Sequence, residues 1–358
     1  MLVLGIETSC DETAAAVVND RGDILSNVIL SQLDEHKLYG GVVPEIAARA
    51  HLDHLTPIIQ ESLKQAGTTF DKLDGVAATC GPGLIGGVMI GMMSAKAIAS
   101  VQNIPFIAVN HLEGHVLTAR LSDKVEFPYL VLLVSGGHTQ ILVAEALGVY
   151  KRWGTTLDDA AGECFDKCAK LMGLPYPGGP NVEKMALSCT SPENAVKRFP
   201  LPSPMKGRKN CDFSFSGLKT AVRTHVDKLP AGTLARNDVI DLCYTLQSQM
   251  AKIMSDRLSF AINQFLTQYT TKQPTLVVCG GVAANQAIAQ ELKTLTDQYN
   301  MTLNTPPLRL SGDNGAMIAW AGIERLKAEQ TDAMNFKARP RWPLDPTAEP
   351  KVGAGVKA

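Results

Sequence analysis

The sequence has almost no net charge and few aromatic residues. Its 34 lysine and arginine residues nearly balance 35 aspartate and glutamate residues, which gives a formal net charge of −1. A generally cationic nucleic-acid-binding body is therefore excluded, and any contact with RNA has to come from a local basic patch. Apolar residues make up 45% of the chain and no long polar tract interrupts them, so an intrinsically disordered protein is excluded too.

Paired cysteines and membrane-spanning runs are also missing. The eight cysteines form no C-x-x-C pair, as is typical of a reduced cytoplasmic protein without a disulfide framework. The most apolar stretch, 84–101, contains Lys96 and three glycines, which favours a packed helix over a membrane span. The first residues lack a basic leader and Glu7 interrupts their apolar run, so we expect a buried strand there and not a secretory signal.

What the sequence does have is a repeated hairpin pattern. Alternating apolar residues predict one hairpin over 2–18 with a polar tip at 7–12, and another over 129–144 around the turn at 135–138. Helical and strand-like stretches alternate after each hairpin, which predicts α/β layering in two duplicated halves. A chain of 358 residues is long enough for two such lobes.

Several further elements follow from periodicity and turn chemistry. The expected helices are 44–65, which opens with Pro44, and 238–269. The expected strands are 75–79, 105–109 and 275–279, and the expected loops are YPGGP at 176–180 and FPLPSPMKGRKN at 199–210.

Three glycine-rich turns follow strand-like runs, at 5–13, 135–139 and 279–285. Glycine lets backbone N–H groups approach a phosphate, so all three could hold a nucleotide; each could equally be an ordinary tight turn. The segment GPGLIG at 81–86 matches the dinucleotide fingerprint only formally, because Pro82 has no N–H to donate. We expect close helix packing there instead.

Two histidines, His111 and His115, are four residues apart and would share one face of a helix, as a metal site requires. A packed or solvated helix face explains such a pair as well. Glu113 does not directly follow the first histidine, as the base of a zinc peptidase must. Asp313, in a glycine-rich turn, is either a third ligand or a helix N-cap.

The other histidines outside the glycine-rich turns are isolated or lie among polar residues. We expect them to be surface groups, namely His36, His51, His54 and His225. Cys164 and Cys168 lie at helical spacing among small and apolar residues, which indicates buried packing.

Taken in order, the motifs resemble the TsaD family, which was formerly described as an O-sialoglycoprotein endopeptidase and is related to the catalytic subunit of the KEOPS complex. The resemblance covers about 1–344. It rests on GIETSCDET, GPGLIGG, NHLEGH, LLVSGGHTQ, DDAAGECFDK, YPGGP, FSFSGLKTA, CGGVAAN, SGDNGAM and PRWPL.

The resemblance implies an α/β actin-like (ASKHA) fold, duplicated in two lobes with a nucleotide cleft between them. The lobes would be 1–120, completed by helices at about 311–340, and 121–310, with a flexible tail at 343–358. It also implies transfer of threonylcarbamoyl from threonylcarbamoyl-AMP to N6 of adenosine 37 in tRNAs that read ANN codons.

The family's functional residues carry over to matching positions of this sequence. The metal ligands would be His111, His115 and Asp313, holding one divalent ion, Fe(2+) or alternatively Zn(2+). Asp11 would lie nearest the reacting carbonyl, and either Asp11 or the leaving phosphate would accept the amine proton. The residues that would bind the adenylate are Val134, Ser135, Gly136, Gly137, His138, Asp166, Gly179, Glu183 and Asn285.

The implied partners are tRNA, a TsaB-like paralogue as heterodimer partner, a TsaE-like ATPase and a threonylcarbamoyl-AMP synthase upstream, in the cytoplasm and away from membranes. We expect the heterodimer surface near the helix at 84–99. Basic residues that could meet tRNA phosphates, or be plain surface charge, form clusters. The clusters are Lys206, Arg208 and Lys209; Lys219 and Arg223; and Lys337, Arg339 and Arg341.

Two alternatives from other classes are kept. A metallopeptidase would rest on HLEGH alone. A regulator of the same actin-like fold would bind a nucleotide without transfer chemistry, but such a switch has no evident need for two inward imidazoles.

Overall fold

The structure is a computed structural model that describes residues 1–37, 39, 41–349 and 351. These form two compact units. Unit 1 contains residues 1–126, 146–149 and 306–346, and unit 2 contains 127–145, 150–305 and the residues from Thr347 onward. The predicted lobes, 1–120 with 311–340 and 121–310, stay a prediction. The predicted tail falls partly on 350 and 352–358, which lie outside the described residues.

The described residues contain strands and helices in the following order along the chain. The strands are β1 (Leu2–Glu7), β2 (Glu12–Asn19), β3 (Ile24–Ser31), β4 (Gly75–Gly81), β5 (Phe106–Asn110), β6 (Tyr129–Val134), β7 (Thr139–Ala146), β8 (Val149–Thr155), β9 (Thr275–Cys279) and β10 (Thr302–Asn304). The helices are α1 (Leu33–Lys37), α2 (Pro44–Gln65), α3 (Ile85–Gln102), α4 (His111–Asp123), α5 (Ala161–Leu171), α6 (Gly178–Ala186), α7 (Pro192–Arg198), α8 (Ser216–Val226), α9 (Arg236–Gln268), α10 (Gln286–Gln298), α11 (Leu308–Ser311) and α12 (Gly315–Lys327).

The two sheets share one strand order, which confirms the predicted duplication. In unit 1 the order is β3-β2-β1-β4-β5, and in unit 2 it is β8-β7-β6-β9-β10. Each sheet starts from an antiparallel hairpin, with Leu2 opposite Asn19 in one and Tyr129 opposite Ala144 in the other. The first strand of each hairpin then pairs in parallel with a later strand.

The sheet of unit 1 is covered by helices on both faces, which explains why β1 reads as one continuous apolar run. Leu4 and Ile6 pack in a buried cluster with Leu55 of α2 and Met92 of α3. Gly5 points the other way, against α12, where an added Cβ would lie 2.7 Å from Ala319 Cα. In unit 2, apolar residues of α5, α6, α8, α9 and α10 form the corresponding core with β6, β7 and β9.

The glycines of the GPGLIG region serve packing, as the sequence predicts. A Cβ at Gly83 would lie 2.6 Å from the Ser9 carbonyl oxygen, and a Cβ at Gly86 would lie 2.9 Å from Ala48 Cβ. These distances are too short for a side chain, so the segment before α3 can approach the turn after β1, and α3 can approach α2, only through glycine. The same helix is long and apolar enough to cross a membrane by length and composition, a test that core helices of soluble proteins also pass.

Most predicted elements are present with small shifts of their ends. The helices at 44–65 and 236–268 and the strand at 275–279 are confirmed, and 199–210 contains no helix or strand. The YPGGP segment is only partly a loop, because α6 begins at Gly178 directly after Pro177. Cys164 and Cys168 are fully buried in the core of unit 2, as expected.

Candidate active site

The two predicted metal-binding histidines open α4 in unit 1. Asn110 ends β5 and caps the helix, since its side-chain oxygen accepts a hydrogen bond from the Leu112 N–H at 2.9 Å. His111 and His115 therefore lie one turn apart, with ring centroids separated by 4.8 Å in an edge-to-face arrangement. His111 is 9% exposed and His115 is 1% exposed, so neither belongs to a solvated helix face.

Asp313 joins the histidines and is not a helix cap. Asn314 caps α12 instead, because its side-chain oxygen accepts from the Met317 N–H at 3.0 Å. Asp313 Oδ1 lies 3.0 Å from His115 Nε2 and 3.6 Å from His111 Nε2. The turn before α12 thus directs a carboxylate towards both imidazoles.

The three side chains fit a divalent metal ion. Their ligand atoms all lie within 4.8 Å of one another. Atoms bound about 2.1 Å from a shared ion lie about 3.0 Å apart in octahedral and about 3.4 Å apart in tetrahedral coordination, close to the two distances from Asp313. Two imidazoles and one carboxylate are a donor set that suits iron and zinc.

A buried carboxylate, Glu7, supports this group and was not predicted. It is 0% exposed at the end of β1 and accepts hydrogen bonds from the Ser9 N–H at 2.5 Å and the Thr79 hydroxyl at 2.5 Å. Its Oε2 also lies 3.0 Å from His111 Nδ1. A carboxylate on the outer nitrogen directs the inner nitrogen of a histidine towards a metal. The signal in the sequence was a glutamate that ends an otherwise apolar strand.

The protonation states of this pair are coupled. Burial by itself lowers the pKa of His111, but the nearby carboxylates of Asp313 and Glu7 outweigh it and raise that pKa to about 9. Burial raises the pKa of Glu7, and the attraction and hydrogen bond of His111 outweigh it, so the net shift is downward. Without a metal, the imidazolium form of His111 is therefore favoured beside an ionised Glu7.

Glu113, the acidic residue between the histidines, does not join the site. It is 0% exposed and forms an ion pair with Arg325 of α12, with Nη2 at 2.6 Å and Nε at 2.8 Å. Its role is to hold α4 against α12. A peptidase needs a general base next to its metal, so this pairing argues against the metallopeptidase alternative.

The predicted catalytic residue Asp11 lies in the turn between β1 and β2 and is 8% exposed. Its backbone carbonyl accepts from the Gln32 N–H at 2.9 Å. Burial, reinforced by the charges of Asp313 and Asp11, raises the pKa of the neighbouring Glu12 to about 10. Several carboxyl groups of unit 1 thus lie close together around this turn.

The predicted adenylate-binding residues all belong to unit 2. The turn after β6 is closed by Ser135, whose N–H donates to the His138 carbonyl at 2.8 Å and whose hydroxyl accepts from the His138 N–H at 3.1 Å. Gly136 and Gly137 are exposed, with open space where a Cβ would be. Val134, at the end of β6, meets Gly280 after β9 so closely that no side chain fits at position 280.

The remaining members are tied to backbone groups of neighbouring helices. Asp166 accepts from the Gly178 N–H at 2.7 Å, and Glu183 accepts from the Gln286 N–H at 2.7 Å. Asn285 caps α10 and donates to the Gln247 side chain at 2.9 Å. Gly179 has open space at its Cβ position. These bonds connect α5 with α6, and α6 with α10.

The histidines expected at the surface divide into two groups. His54 and His225 are half-buried, so each is only partly the surface group that the sequence predicted. The expectation is wrong for His36 and His51, which are 0% exposed and hydrogen-bonded to Gln32. Their polar sequence neighbours concealed the burial of both residues, His36 on the short helix α1 and His51 on the long helix α2.

Comparison with known proteins gives one consistent result. Residues 23–320 match the model of a family described as TsaD, tRNA N6-adenosine threonylcarbamoyltransferase. A protein of that name from Rhodospirillum rubrum is 55% identical over 362 residues, covering 99% of this chain and 98% of the relative. One from Paramagnetospirillum magneticum is 55% identical over 348 residues, covering 97% and 98%.

Solved structures share the fold at low identity. Component A of the (R)-2-hydroxyglutaryl-CoA dehydratase of Acidaminococcus fermentans is 16% identical, covers 92% of this chain and 99% of its own, and has a TM-score of 0.53. HypF from T. kodakarensis is 12% identical, covers 92% and 48%, and has a TM-score of 0.58. This likeness confirms the α/β two-lobe, actin-like fold and carries no information on activity.

Proposed function

The chain belongs to the TsaD family of tRNA N6-adenosine threonylcarbamoyltransferases, and from this premise we propose which residues carry the reaction. The enzyme transfers a threonylcarbamoyl group to N6 of adenosine in tRNA. In our proposal the donor is threonylcarbamoyl-AMP and the acceptor is adenosine 37 of tRNAs that read ANN codons. A regulator without chemistry has no use for the His–His–Asp group of unit 1.

His111, His115 and Asp313 would hold one divalent metal ion, with iron favoured over zinc. Two histidines and one carboxylate that leave other positions open are the donor set of non-haem Fe(II) sites. When bound, such an ion supplies positive charge for phosphate oxygens and Lewis acidity. Glu7 would keep His111 oriented for it.

The turn Ser135–His138 and the residues around it would bind the adenylate. Gly136 and Gly137 leave their N–H groups approachable, which suits a phosphate at the end of a strand. Asp166, Gly179, Glu183 and Asn285 would contact the nucleoside from α5, α6 and the start of α10. The side chains of Asp166, Glu183 and Asn285 are kept in place before the ligand binds by their own hydrogen bonds to backbone groups.

The amine of adenine is a weak nucleophile, so the carbonyl of the anhydride has to be activated and the amine proton accepted. Backbone N–H groups would steady the charge that develops on the donor. Asp11 would accept the proton, with the leaving phosphate as the alternative acceptor. The buried position of Asp11 supports the first choice because it excludes bulk water as a competitor.

The observation that carries this proposal is the convergence of His111, His115 and Asp313. We would purify the variants H115A and D313A, with H54A as the control because His54 is a half-buried histidine of α2 that lies outside the His–His–Asp group. With the partner proteins supplied, H115A and D313A should lose bound metal and modified tRNA, whereas H54A should keep both. Full metal occupancy in H115A would contradict the assignment.

Partner proteins form part of the proposal. A TsaB-like paralogue would bind the exposed apolar face of α3, where Ile85, Met89 and Met93 have exposed fractions of 45%, 49% and 54% at four-residue spacing. The variant M89E should abolish the heterodimer in analytical ultracentrifugation, whereas L187E, at an exposed leucine of unit 2, should not. A TsaE-like ATPase and an upstream threonylcarbamoyl-AMP synthase would complete the system. Sustained turnover by the chain alone would contradict the need for these partner proteins.

The phosphates of tRNA would be met by the basic loop formed by Lys206, Arg208 and Lys209, all of which are exposed. Buried Arg257 supports this loop, because its Nη1 donates to the carbonyls of Arg208 at 2.9 Å and Asn210 at 3.1 Å. Lys219 and Arg223 lie on α8 in the same unit.

A second cluster lies in unit 1, where Arg339 stacks on the rings of Phe336 and Trp342 at 4.7 and 4.9 Å and Lys337 and Arg341 are exposed.

The basic loop is tested by a triple variant. Replacing Lys206, Arg208 and Lys209 by alanine should weaken tRNA binding and flatten its salt dependence. Replacing the exposed Lys64 and Lys72 should not. An unchanged salt slope in the triple variant would refute the assignment.

The cytoplasm is the proposed location. The cysteines at all eight positions are free in the structure, as suits a reducing compartment.

A further inference from the structure

A buried histidine lies directly beside the acidic turn that carries Asp11. His51, on α2, is 0% exposed. Its Nε2 lies 3.0 Å from the Cys10 carbonyl oxygen, and its Nδ1 lies 2.8 Å from the Thr13 hydroxyl and 3.3 Å from Gln32 Nε2. Two of these contacts, with Cys10 and Thr13, are therefore with the segment that leads into and out of the turn, and the third is with Gln32, which follows β3.

The contacts determine which ring nitrogen of His51 carries the proton. A carbonyl oxygen only accepts, so Nε2 must donate to Cys10. Gln32 places its oxygen 3.4 Å from His36 Nε2, which leaves its NH2 group facing His51 Nδ1 and Thr13. Nδ1 must then accept, and the ring is neutral with its proton on Nε2.

Burial favours this neutral form, since desolvation lowers the pKa of His51 below its ordinary value. Ionisable groups act on the ring from two sides, with His36 on α1 on one side and Glu7 at the end of β1 and Asp11 in the following turn on the other. Desolvation outweighs the two carboxylates, which on their own raise that pKa.

The turn itself is fixed at three consecutive carbonyl groups. The Ser9 carbonyl accepts from the Leu84 N–H at 2.8 Å, the Cys10 carbonyl accepts from His51, and the Asp11 carbonyl accepts from the Gln32 N–H at 2.9 Å. Of these three bonds, the one to Cys10 is the only one made by a side chain. It is also the bond directly before Asp11, so it controls the backbone that aims the Asp11 carboxylate.

Helix α3 leaves room for this ring. A Cβ at Gly87 would lie 2.9 Å from Cδ2 and 3.0 Å from Nε2 of His51, both too short for a side chain. The ring thus sits between a glycine of α3 and the turn, with little freedom to rotate away from the Cys10 carbonyl.

We propose that His51 is a positioning residue for the transfer reaction, whose neutral ring fixes Asp11 by donating from Nε2 to the Cys10 carbonyl. This inference rests on the proposed role of Asp11. His51 itself contacts neither substrate nor metal ligands; it acts through the backbone of the turn.

Two amide variants separate the donor from the acceptor. In H51Q the side-chain NH2 reaches about the position of Nε2 and can still donate to Cys10. In H51N the shorter amide reaches only about Nδ1, so it keeps the partner for Thr13 and loses the donor to Cys10. A misplacement of about 1 Å can slow a reaction about 100-fold, so we expect H51N to transfer threonylcarbamoyl about 10- to 100-fold more slowly in single turnover.

In the same assay H51Q should stay within about threefold of the wild-type enzyme, and KM for tRNA and metal content should be unchanged in both variants. A merely structural role predicts that the two rates follow the melting temperatures. Equal rates in H51N and H51Q, whether both normal or both slow, would overturn the proposal. The variant D11N is measured alongside, and full activity there would overturn the role of Asp11 and, with it, the route through Asp11.

The state of the ring is tested without any activity. In 15N NMR of the full chain, the His51 imidazole should show the neutral Nε2–H tautomer, and it should be protonated only at pH values below the ordinary histidine pKa of about 6.5. A neutral Nδ1–H tautomer, or a ring that is already protonated at pH values above about 6.5, would overturn the proposal even if the transfer function itself stands.

Discussion

The substitution of Glu7 by glutamine is a strict test of the metal-binding group, because the two side chains have the same shape. The Ser9 N–H is an obligate donor and keeps the amide oxygen of the new side chain facing it at the place of Oε1. The amide NH2 then replaces Oε2, the oxygen that lies 3.0 Å from His111 Nδ1. The wild-type imidazolium can release its Nε2 proton to make room for a metal while Glu7 holds the Nδ1 proton, whereas beside the NH2 group of glutamine the neutral ring accepts at Nδ1 and keeps its one proton on Nε2, the atom that faces Asp313 at 3.6 Å.

A proton on Nε2 blocks the nitrogen that would bind the metal. Loss of such an outer partner typically weakens metal binding about 10- to 100-fold, which corresponds to about 1.4–2.8 kcal/mol. The expected result is a metal affinity lowered by that factor while the far-UV circular dichroism spectrum stays unchanged. Competition against a chelator of known affinity at fixed pH measures it.

The control is T79V, which removes one hydrogen bond from the same Glu7 oxygen without placing a donor beside His111. It should bind metal within about threefold of the wild-type protein. Equal affinity in E7Q and wild type would refute the reasoning, and so would an equal loss in T79V.

Three further predictions concern packing and stability. G91A should destabilise the protein in urea unfolding by about 1–2 kcal/mol, since the new Cβ would overlap the Thr8 hydroxyl. Its control is G217A, which should stabilise the protein slightly, because the atom nearest to the new Cβ lies 3.6 Å away. D158N should lose about 1–3 kcal/mol at pH 7. Burial raises the pKa of Asp158, but hydrogen bonds from Ser214, Phe215 and Ser216 outweigh it and lower that pKa below its ordinary value of 3.8. This stabilisation is therefore present above pH 3.8 and is lost as the pH falls through the lowered pKa, so the difference from wild type should shrink in that range. E113Q should cost about 3–5 kcal/mol, because it removes the opposite charge beside a largely buried Arg325 and leaves that guanidinium with neutral partners such as Gln330. An undiminished stability of G91A, D158N or E113Q contradicts the corresponding contact, and a clear destabilisation by G217A contradicts the open space at that position.

The sequence predicted well what depends on local pattern. The two hairpins, the helix at 44–65 and the duplicated order of elements follow from apolar periodicity and turn residues, which act over a few positions. The spacing of His111 and His115 placed both on one helical face, and the structure adds Asp313 to them.

What the sequence could not predict depends on contacts between distant residues. Glu7 and His111 are separated by 104 positions, and no local rule connects them. The burial of His51 depends on Gly87 and on the turn at 10–13, so its polar neighbours on α2 indicated a surface group. The sequence likewise left open whether Asp313 caps α12, and the structure shows that Asn314 is the N-cap residue.

The central claim is that this chain modifies adenosine in tRNA through the group formed by His111, His115 and Asp313. The most direct measurement is mass-spectrometric analysis of tRNA nucleosides from cells depleted of the protein and complemented with wild-type, H54A or H115A chains. The account predicts that N6-threonylcarbamoyladenosine disappears on depletion, returns with wild-type and H54A chains, and stays absent with H115A at equal protein level. Unchanged modification after depletion, or full restoration by H115A, would contradict it.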